Sequence, residues 1–253
     1  MDTFLKTSYY YDHHSVIISE FVETVCSGFD RLNEQILALY FGVRDQIIYS
    51  PTGSVGLASL QASQVLQAGK GHCIDKALLL GACYRNLGIP ARIGLAKVKN
   101  HIATEKIQKL LGTDVLVPHG YVEVFHNDKW VKCTPAFNRS LCEIFEVAPL
   151  NFDGENDSLF QEHSKVGARF MEYVVDYGSF SDLPIDLMDE LLIQNYGSDY
   201  REKLSFNEPK IRKEKIEDLH LRQKEKSLSL ASQRDPVAVA SNDLNQFVNS
   251  VFG

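Results

Sequence analysis

A cysteine at the start of an apolar helix is the feature that most constrains the fold of this chain. The segment Gly71-His72-Cys73-Ile74-Asp75-Lys76-Ala77 opens with a glycine and leads into apolar side chains at helical spacing. Gly88-Ile89-Pro90 closes that pattern, because glycine favours a helix C-terminus and proline prevents its continuation. The sequence therefore predicts a helix that carries Cys73 in its first turn.

The first turn of a helix is a favourable place for a reactive thiol. Unpaired backbone N–H groups and the aligned peptide dipoles stabilise a thiolate there, and this lowers the thiol pKa. The same N–H groups can bind the oxyanion that forms when a thiolate attacks a carbonyl. A free cysteine is also a common small core residue, so position alone leaves both interpretations open.

A histidine strand and a hairpin follow downstream. His119 comes 46 residues after Cys73, as expected for a nucleophile and base that only the fold brings together. Asn127-Asp128 predicts a two-residue turn, which pairs residues whose numbers sum to 255. This register places Thr134 diagonally next to His119, opposite Tyr121 and on the same face of the sheet. It likewise places His119 opposite Ala136.

The same register gives Glu123 a partner. It lies opposite Lys132, and the two side chains share the face that carries His119. A salt bridge is therefore the better interpretation of Glu123 than a catalytic role.

Composition excludes several classes of protein. The 253 residues carry a net charge of −7, which does not favour nucleic acid or an anionic membrane as a partner. Neither an N-terminal signal segment nor a membrane-length apolar run is visible. Five cysteines without CxxC spacing, and His13-His14 without nearby ligands, favour neither disulfides nor a metal site. We expect a cytoplasmic protein without metal or cofactor.

Three regions follow one another along the chain. Helices capped by Ser15 and Asp30 precede the cysteine helix, and residues 1–150 are expected to form the core. Residues 151–206 form an acidic extension, with eleven acidic and two basic residues over 151–199. Its apolar and aromatic clusters predict a folded, mainly helical segment packed on the core. Residues 207–253 form a charged C-terminal arm.

These motifs together resemble the transglutaminase-like superfamily. The resemblance covers about residues 35–138 and includes the cysteine segment, Arg85-Asn86-Leu87-Gly88-Ile89-Pro90-Ala91-Arg92 and His119-x-x-x-Glu123 followed by Trp130-Val131. It implies an α+β, papain-like core, in which N-terminal helices and the nucleophile helix pack on an antiparallel sheet. The acidic extension resembles that of small bacterial members of the group.

The resemblance also implies roles for individual residues. Cys73 is then the nucleophile and His119 the general base and acid. The third catalytic residue of the family is an Asp before Pro, and Thr134 occupies that position. A threonine hydroxyl can accept the imidazole N–H but carries no charge to stabilise an imidazolium. Asn138 is an alternative orienting residue, and Gln67 stands at the spacing of a papain-type oxyanion donor.

Two functions remain open at this point. The first is acyl transfer from a peptide or protein amide through a Cys73 thioester, with hydrolysis favoured over transamidation. The second is a protein- or peptide-binding module in which the Thr134 site has lost efficient catalysis.

Overall fold

The structure is a computed structural model that describes residues 1–50, 61–101, 115–144, 146–160, 170–198 and 200. The arm predicted for residues 207–253 lies outside these ranges. A short 3-10 turn at Asp2–Leu5 precedes the regular elements. The helices are Val16–Cys26 (α1), Leu32–Gln46 (α2), Ala62–Ala68 (α3), Cys73–Asn86 (α4), Arg139–Ile144 (α5) and Ile185–Tyr196 (α6). The strands are Ile48–Tyr49 (β1), Lys70–Gly71 (β2), Ala91–Asn100 (β3), Val115–His126 (β4), Lys129–Cys133 (β5) and Met171–Phe180 (β6).

Helix α4 is the centre of the molecule. Every residue from Cys73 to Arg85 is buried, because β4 packs along one side of the helix and α1, α2 and α3 cover the others. Gly88 ends it with a φ of +75°, a left-handed conformation that glycine adopts without strain. The predicted cysteine helix is confirmed at both ends.

The main sheet has four antiparallel strands in the order β5-β4-β3-β6. Hairpin β4–β5 pairs Glu123 with Lys132 and Phe125 with Trp130, which confirms the predicted register. The turn residues Asn127 and Asp128 have φ values of 49° and 60°, as a type I′ turn requires.

The hairpin ladder is shorter than predicted. It ends at the pair Val122–Cys133, so the expected pairs of Tyr121 with Thr134 and His119 with Ala136 are wrong. Thr134 leaves the ladder because its N–H donates instead to the carbonyl of Ser158, at 2.9 Å. A loop of the acidic extension thus replaces strand β4 as the backbone partner at this point.

The acidic extension contributes a strand to the same sheet. Its aromatic and β-branched run is β6, not a helix, and it pairs along β3. A short apolar run fits a buried helix or a strand equally well, and the free edge of β3 decides between them here. The prediction of a mainly helical extension is therefore wrong for Met171–Phe180. The predicted α+β class, with the cysteine helix on an antiparallel sheet, is confirmed.

Polar side chains fasten β6 to its neighbours. Asp176 accepts hydrogen bonds from the Tyr121 hydroxyl at 2.9 Å and from Lys132 Nζ at 2.8 Å. Glu123 pairs with Arg92 and accepts from the Ser179 hydroxyl at 2.6 Å, whereas Lys132 Nζ is 3.9 Å away. Glu123 thus has the ion-pair role that we expected, but with Arg92 as its nearer partner.

Candidate active site

The N-terminus of α4 is built around Cys73, its first residue. His72 precedes the helix in an extended conformation, and its Nδ1 accepts hydrogen bonds from the N–H groups of Ile74 and Asp75, each at 3.2 Å. The Asp75 carboxylate accepts the N–H of His72 at 3.0 Å in return. This reciprocal cap fixes the first turn of the helix. It also occupies the backbone N–H groups of Ile74 and Asp75, which are then not available to bind an oxyanion. His72 is therefore a capping residue.

A glycine on β4 brings the histidine strand against this turn. A Cβ atom added to Gly120 would lie 2.8 Å from Ile74 Cα and 3.1 Å from Ile74 N, closer than non-bonded atoms approach. Only glycine therefore allows β4 to approach α4 at this point. The backbone N–H of Gly120 acts to lower the pKa of the Cys73 thiol. Gly120 directly follows His119, so the histidine strand passes the N-terminus of α4, where Cys73 lies.

Burial sets the protonation state of the thiol. Cys73 is 8% exposed, and loss of solvent raises its pKa to about 11. The N–H of Gly120 lowers this pKa and the Asp75 carboxylate raises it, and both effects are smaller than that of burial. The depressed pKa expected from the helix N-terminus is wrong for this buried site. Cys73 is a neutral thiol at physiological pH.

Burial also sets the protonation state of the histidine. His119 is 3% exposed, and burial, followed by the nearby His72, lowers its pKa to about 4. Neither ring nitrogen has a hydrogen-bond partner within the part of the chain that the structure describes. Cys73 and His119 are therefore both neutral, and the imidazole is able to accept a proton.

Thr134 is held next to the histidine by its backbone. Its N–H donates to Ser158 and its carbonyl accepts from the Tyr40 hydroxyl at 3.1 Å. The side chain is 4% exposed and lines the same small cavity as His119. The structure thus brings His119 and Thr134 to one cavity, whereas the joint role of Cys73 with them stays a prediction from the sequence.

Asn138 and Gln67 are the two alternative site residues. Asn138 uses both ends of its amide, since Oδ1 accepts the N–H of Tyr49 at 3.0 Å and Nδ2 donates to Ser140 Oγ at 2.7 Å. It joins β1 to the start of α5 and makes no hydrogen bond to His119. Gln67 is exposed near the end of α3. Their catalytic roles stay predictions from spacing alone.

Two tyrosines that sequence reasoning missed lie near the thiol. Ionised Cys73 would raise the pKa of both Tyr49 and Tyr196, although burial is the larger cause for each. Tyr196 comes from α6, and its hydroxyl donates to the Val115 carbonyl and accepts the Val117 N–H, both at 3.1 Å. The extension thus holds the start of the histidine strand. No local pattern around Tyr196 signals this, because the contact joins segments 79 residues apart.

Neither a metal-binding cluster nor a membrane-spanning helix occurs among the described residues. No group of three or more His, Cys, Asp or Glu side chains within the described ranges is arranged to hold a metal ion. None of the helices described above has the length and apolar character needed to cross a membrane.

Two comparisons with known proteins, one of sequence and one of structure, found similarity to this chain. The sequence pattern of the transglutaminase-like superfamily matches residues 20–135. The crystal structure of a candidate cysteine protease from Cytophaga hutchinsonii superposes with a TM-score of 0.42 and 17% identity, over 70% of this chain and 53% of that protein. This chain thus spans about half the length of that protein. No curated protein matches the sequence.

Proposed function

We infer, from the fact that residues 20–135 belong to the transglutaminase-like superfamily, that this protein transfers acyl groups through the thiol of Cys73. The observation that supports the proposal is the position of Cys73 at the N-terminus of α4, where the Gly120 N–H acts on its thiol and the strand that carries His119 packs against the first turn. The substrate class that we propose is an amide bond of a peptide or protein.

The neutral Cys73–His119 pair suggests how the first step proceeds. The thiol sulfur attacks the amide carbonyl while the imidazole takes its proton, so the thiolate forms only during attack. The N–H groups of Cys73 and Gly120 are the available donors for the oxyanion, because the Ile74 and Asp75 amides are bound to His72. The resulting imidazolium then protonates the departing amine, which leaves an acyl thioester on Cys73.

The second step releases the acyl group. His119 deprotonates a water molecule, which attacks the thioester, and the acid product leaves as the thiol is regenerated. We favour water over an amine as the acceptor, since water requires no binding site of its own.

A screen of peptide and amide substrates tests this function. We expect the wild-type protein to cleave some of them, and Cys73→Ala and His119→Ala each to abolish cleavage. Cys26→Ala is the matched control, since Cys26 is also a buried free cysteine, 9% exposed, and should keep full activity. Equal turnover by wild type and Cys73→Ala would contradict the proposal. Adding a primary amine shows whether it competes with water for the thioester.

The second candidate function is a binding module with weakened catalysis. Thr134 favours it, because a neutral hydroxyl cannot stabilise an imidazolium as the Asp of the family can. Thr134→Asp separates the two functions. A large gain in amide cleavage would indicate a site that has lost its activity, and a loss would show that Thr134 belongs to a working variant.

A further inference from the structure

Three buried polar atoms at this site lack a protein partner. They are Nδ1 and Nε2 of His119 and Oγ1 of Thr134, none of which forms a hydrogen bond within the described ranges. Leaving a buried polar group unpaired costs about 1–3 kcal/mol, so native structures rarely do so. Because His119 and Thr134 also line the same cavity, their unpaired atoms indicate that a polar molecule binds there.

His119 and Thr134 both line one small cavity. Its volume is about 10 Å³, close to the minimum for a single water molecule. Of the side chains that line it, those of His119 and Thr134 are polar, and the others are apolar or aromatic. These other lining residues are Ala136, Phe137, Leu150, Leu159, Phe160 and Met171.

The backbone of Thr134 is fixed where its hydroxyl meets this cavity. Its N–H is bound by Ser158 and its carbonyl by Tyr40. The side chain therefore cannot approach the imidazole by a movement of its own backbone. A direct Thr134–His119 hydrogen bond is not formed, and both residues line the cavity.

We propose that one water molecule bound in this cavity joins Thr134 Oγ1 to the His119 imidazole and positions the general base. This rests on the proposed function and deepens it, by assigning what replaces the carboxylate of the family. The water oxygen accepts the N–H of one ring nitrogen, and the water donates one O–H to Thr134 Oγ1. The other ring nitrogen is then unprotonated and is available to the Cys73 thiol.

A neutral bridge of this kind acts through the tautomer of the imidazole. It holds the ring N–H on the cavity side but adds no negative charge, so it leaves the imidazolium without electrostatic support. This agrees with the pKa of about 4 for His119, which keeps the ring neutral before the reaction. Thr134 is accordingly a positioning residue that acts through the water.

Three substitutions separate the bridge from other arrangements. Thr134→Val keeps the shape of the side chain and removes the hydroxyl, whereas Thr134→Ser keeps the hydroxyl. Ala136→Val adds volume to the cavity lining and leaves Thr134 intact. The principal readout is the ¹⁵N spectrum of the His119 ring, assigned with His119→Asn, which reports the tautomer without any substrate. Failure of the bridge is thereby distinguishable from failure of the proposed function.

We expect one dominant His119 tautomer in the wild type and in Thr134→Ser, and a mixture of both tautomers in Thr134→Val and Ala136→Val. With a substrate from the screen, kcat should fall at least about tenfold in the last two variants while KM changes less than about twofold. An unchanged tautomer in Thr134→Val would overturn the proposal. A change in Thr134→Val but not in Ala136→Val would indicate a direct bond instead of a water bridge.

A measurement on the wild type covers the case in which Ala136→Val does not fold. A high-resolution crystal structure should show one ordered water within hydrogen-bond distance of Thr134 Oγ1 and a ring nitrogen of His119. Its absence from a well-ordered cavity would overturn the proposal.

Discussion

At the scale of single residues, the Cys73 thiol is subject to two opposing effects. Backbone N–H groups from the helix N-terminus and from Gly120 favour the thiolate, whereas burial favours the neutral thiol. Burial is the larger effect, and it holds the neighbouring His119 neutral as well. The resting site therefore differs from a preformed thiolate–imidazolium pair, and this difference has a measurable pH dependence.

We expect the alkylation rate of Cys73 to rise about tenfold per pH unit between about pH 6 and 9. The thiolate fraction grows in this proportion below a pKa of about 11, and His119, with a pKa of about 4, stays neutral throughout. Iodoacetamide labelling of the Cys73 peptide, followed by mass spectrometry, measures the rate. Cys26 is the internal control, because burial raises its pKa to about 11 as well. A rate at Cys73 that is constant over this range would show an ion pair and contradict the expectation.

Gly120→Ala tests the close approach of β4 to the nucleophile. The new methyl group would overlap backbone atoms of Ile74, so α4 and β4 must separate, at a cost of about 1–3 kcal/mol. Urea denaturation measures the loss, and Cys73 alkylation should change with it. In the control Gly42→Ala, within helix α2, the added Cβ meets only side-chain atoms, of which a Val25 methyl carbon at 3.2 Å is the nearest. Equal stability of the two variants would refute this account of Gly120.

At the scale of elements, Lys76 connects the cysteine helix to the end of α2. Its side chain is fully buried, and Nζ donates to the carbonyls of Arg44 and Ile47, at 2.9 and 2.6 Å. These carbonyls lie at the helix C-terminus, where no further turn supplies donors. Loss of solvent lowers the pKa of Lys76 to about 7. The amine therefore aligns two helices while titrating near neutral pH.

We expect the contribution of Lys76 to the free energy of unfolding to rise with pH between about pH 7 and 8.5. The unfolded chain keeps Lys76 protonated there while the folded protein loses the proton, so the slope approaches about 1.4 kcal/mol per pH unit. Lys76→Met should remove this rise, as measured by urea denaturation at several pH values. The lowered pKa values of His13, His119 and His126 affect stability mainly at lower pH. The buried cysteines, whose pKa values are raised, oppose the Lys76 effect in this interval, but they are the same in both proteins and cancel in the difference between wild type and Lys76→Met. The same slope in both proteins would contradict the assignment.

At the scale of the whole molecule, Arg85 joins segments that lie far apart in the sequence. Its guanidinium donates to the carbonyls of Lys6, Ala91 and Ser181 and stacks over Tyr11 at 3.6 Å. The N-terminal segment, the start of β3 and the extension after β6 therefore meet at one buried side chain. Together with β6, this contact makes the described part of the extension an integral part of the core.

Arg85→Met should reduce the stability of the entire molecule. Hydrogen bonds from a charged donor are worth more than neutral ones, and three carbonyls would lose their partner, so we expect a loss of about 3 kcal/mol or more. Thermal unfolding followed by circular dichroism should show one transition at a lower Tm. Arg31→Met, at an exposed position, is the control and should leave the Tm nearly unchanged. Similar Tm values for both variants would show that Arg85 does not join these segments energetically.

Features that depend on neighbouring residues could be predicted from the sequence. Helical spacing and Gly88 set the cysteine helix, and Asn127-Asp128 set the hairpin register, because helix ends and two-residue turns follow local backbone preferences. The tertiary structure alone decided the neutral state of Cys73 and His119, the approach of Tyr196 and the pairing of β6 with β3. Each of these depends on burial or on contacts between segments far apart in the chain. Spacing in the sequence could therefore identify Cys73, His119 and Thr134 as candidate site residues. The packing around them sets the protonation states of Cys73 and His119 and forms the cavity that His119 and Thr134 line.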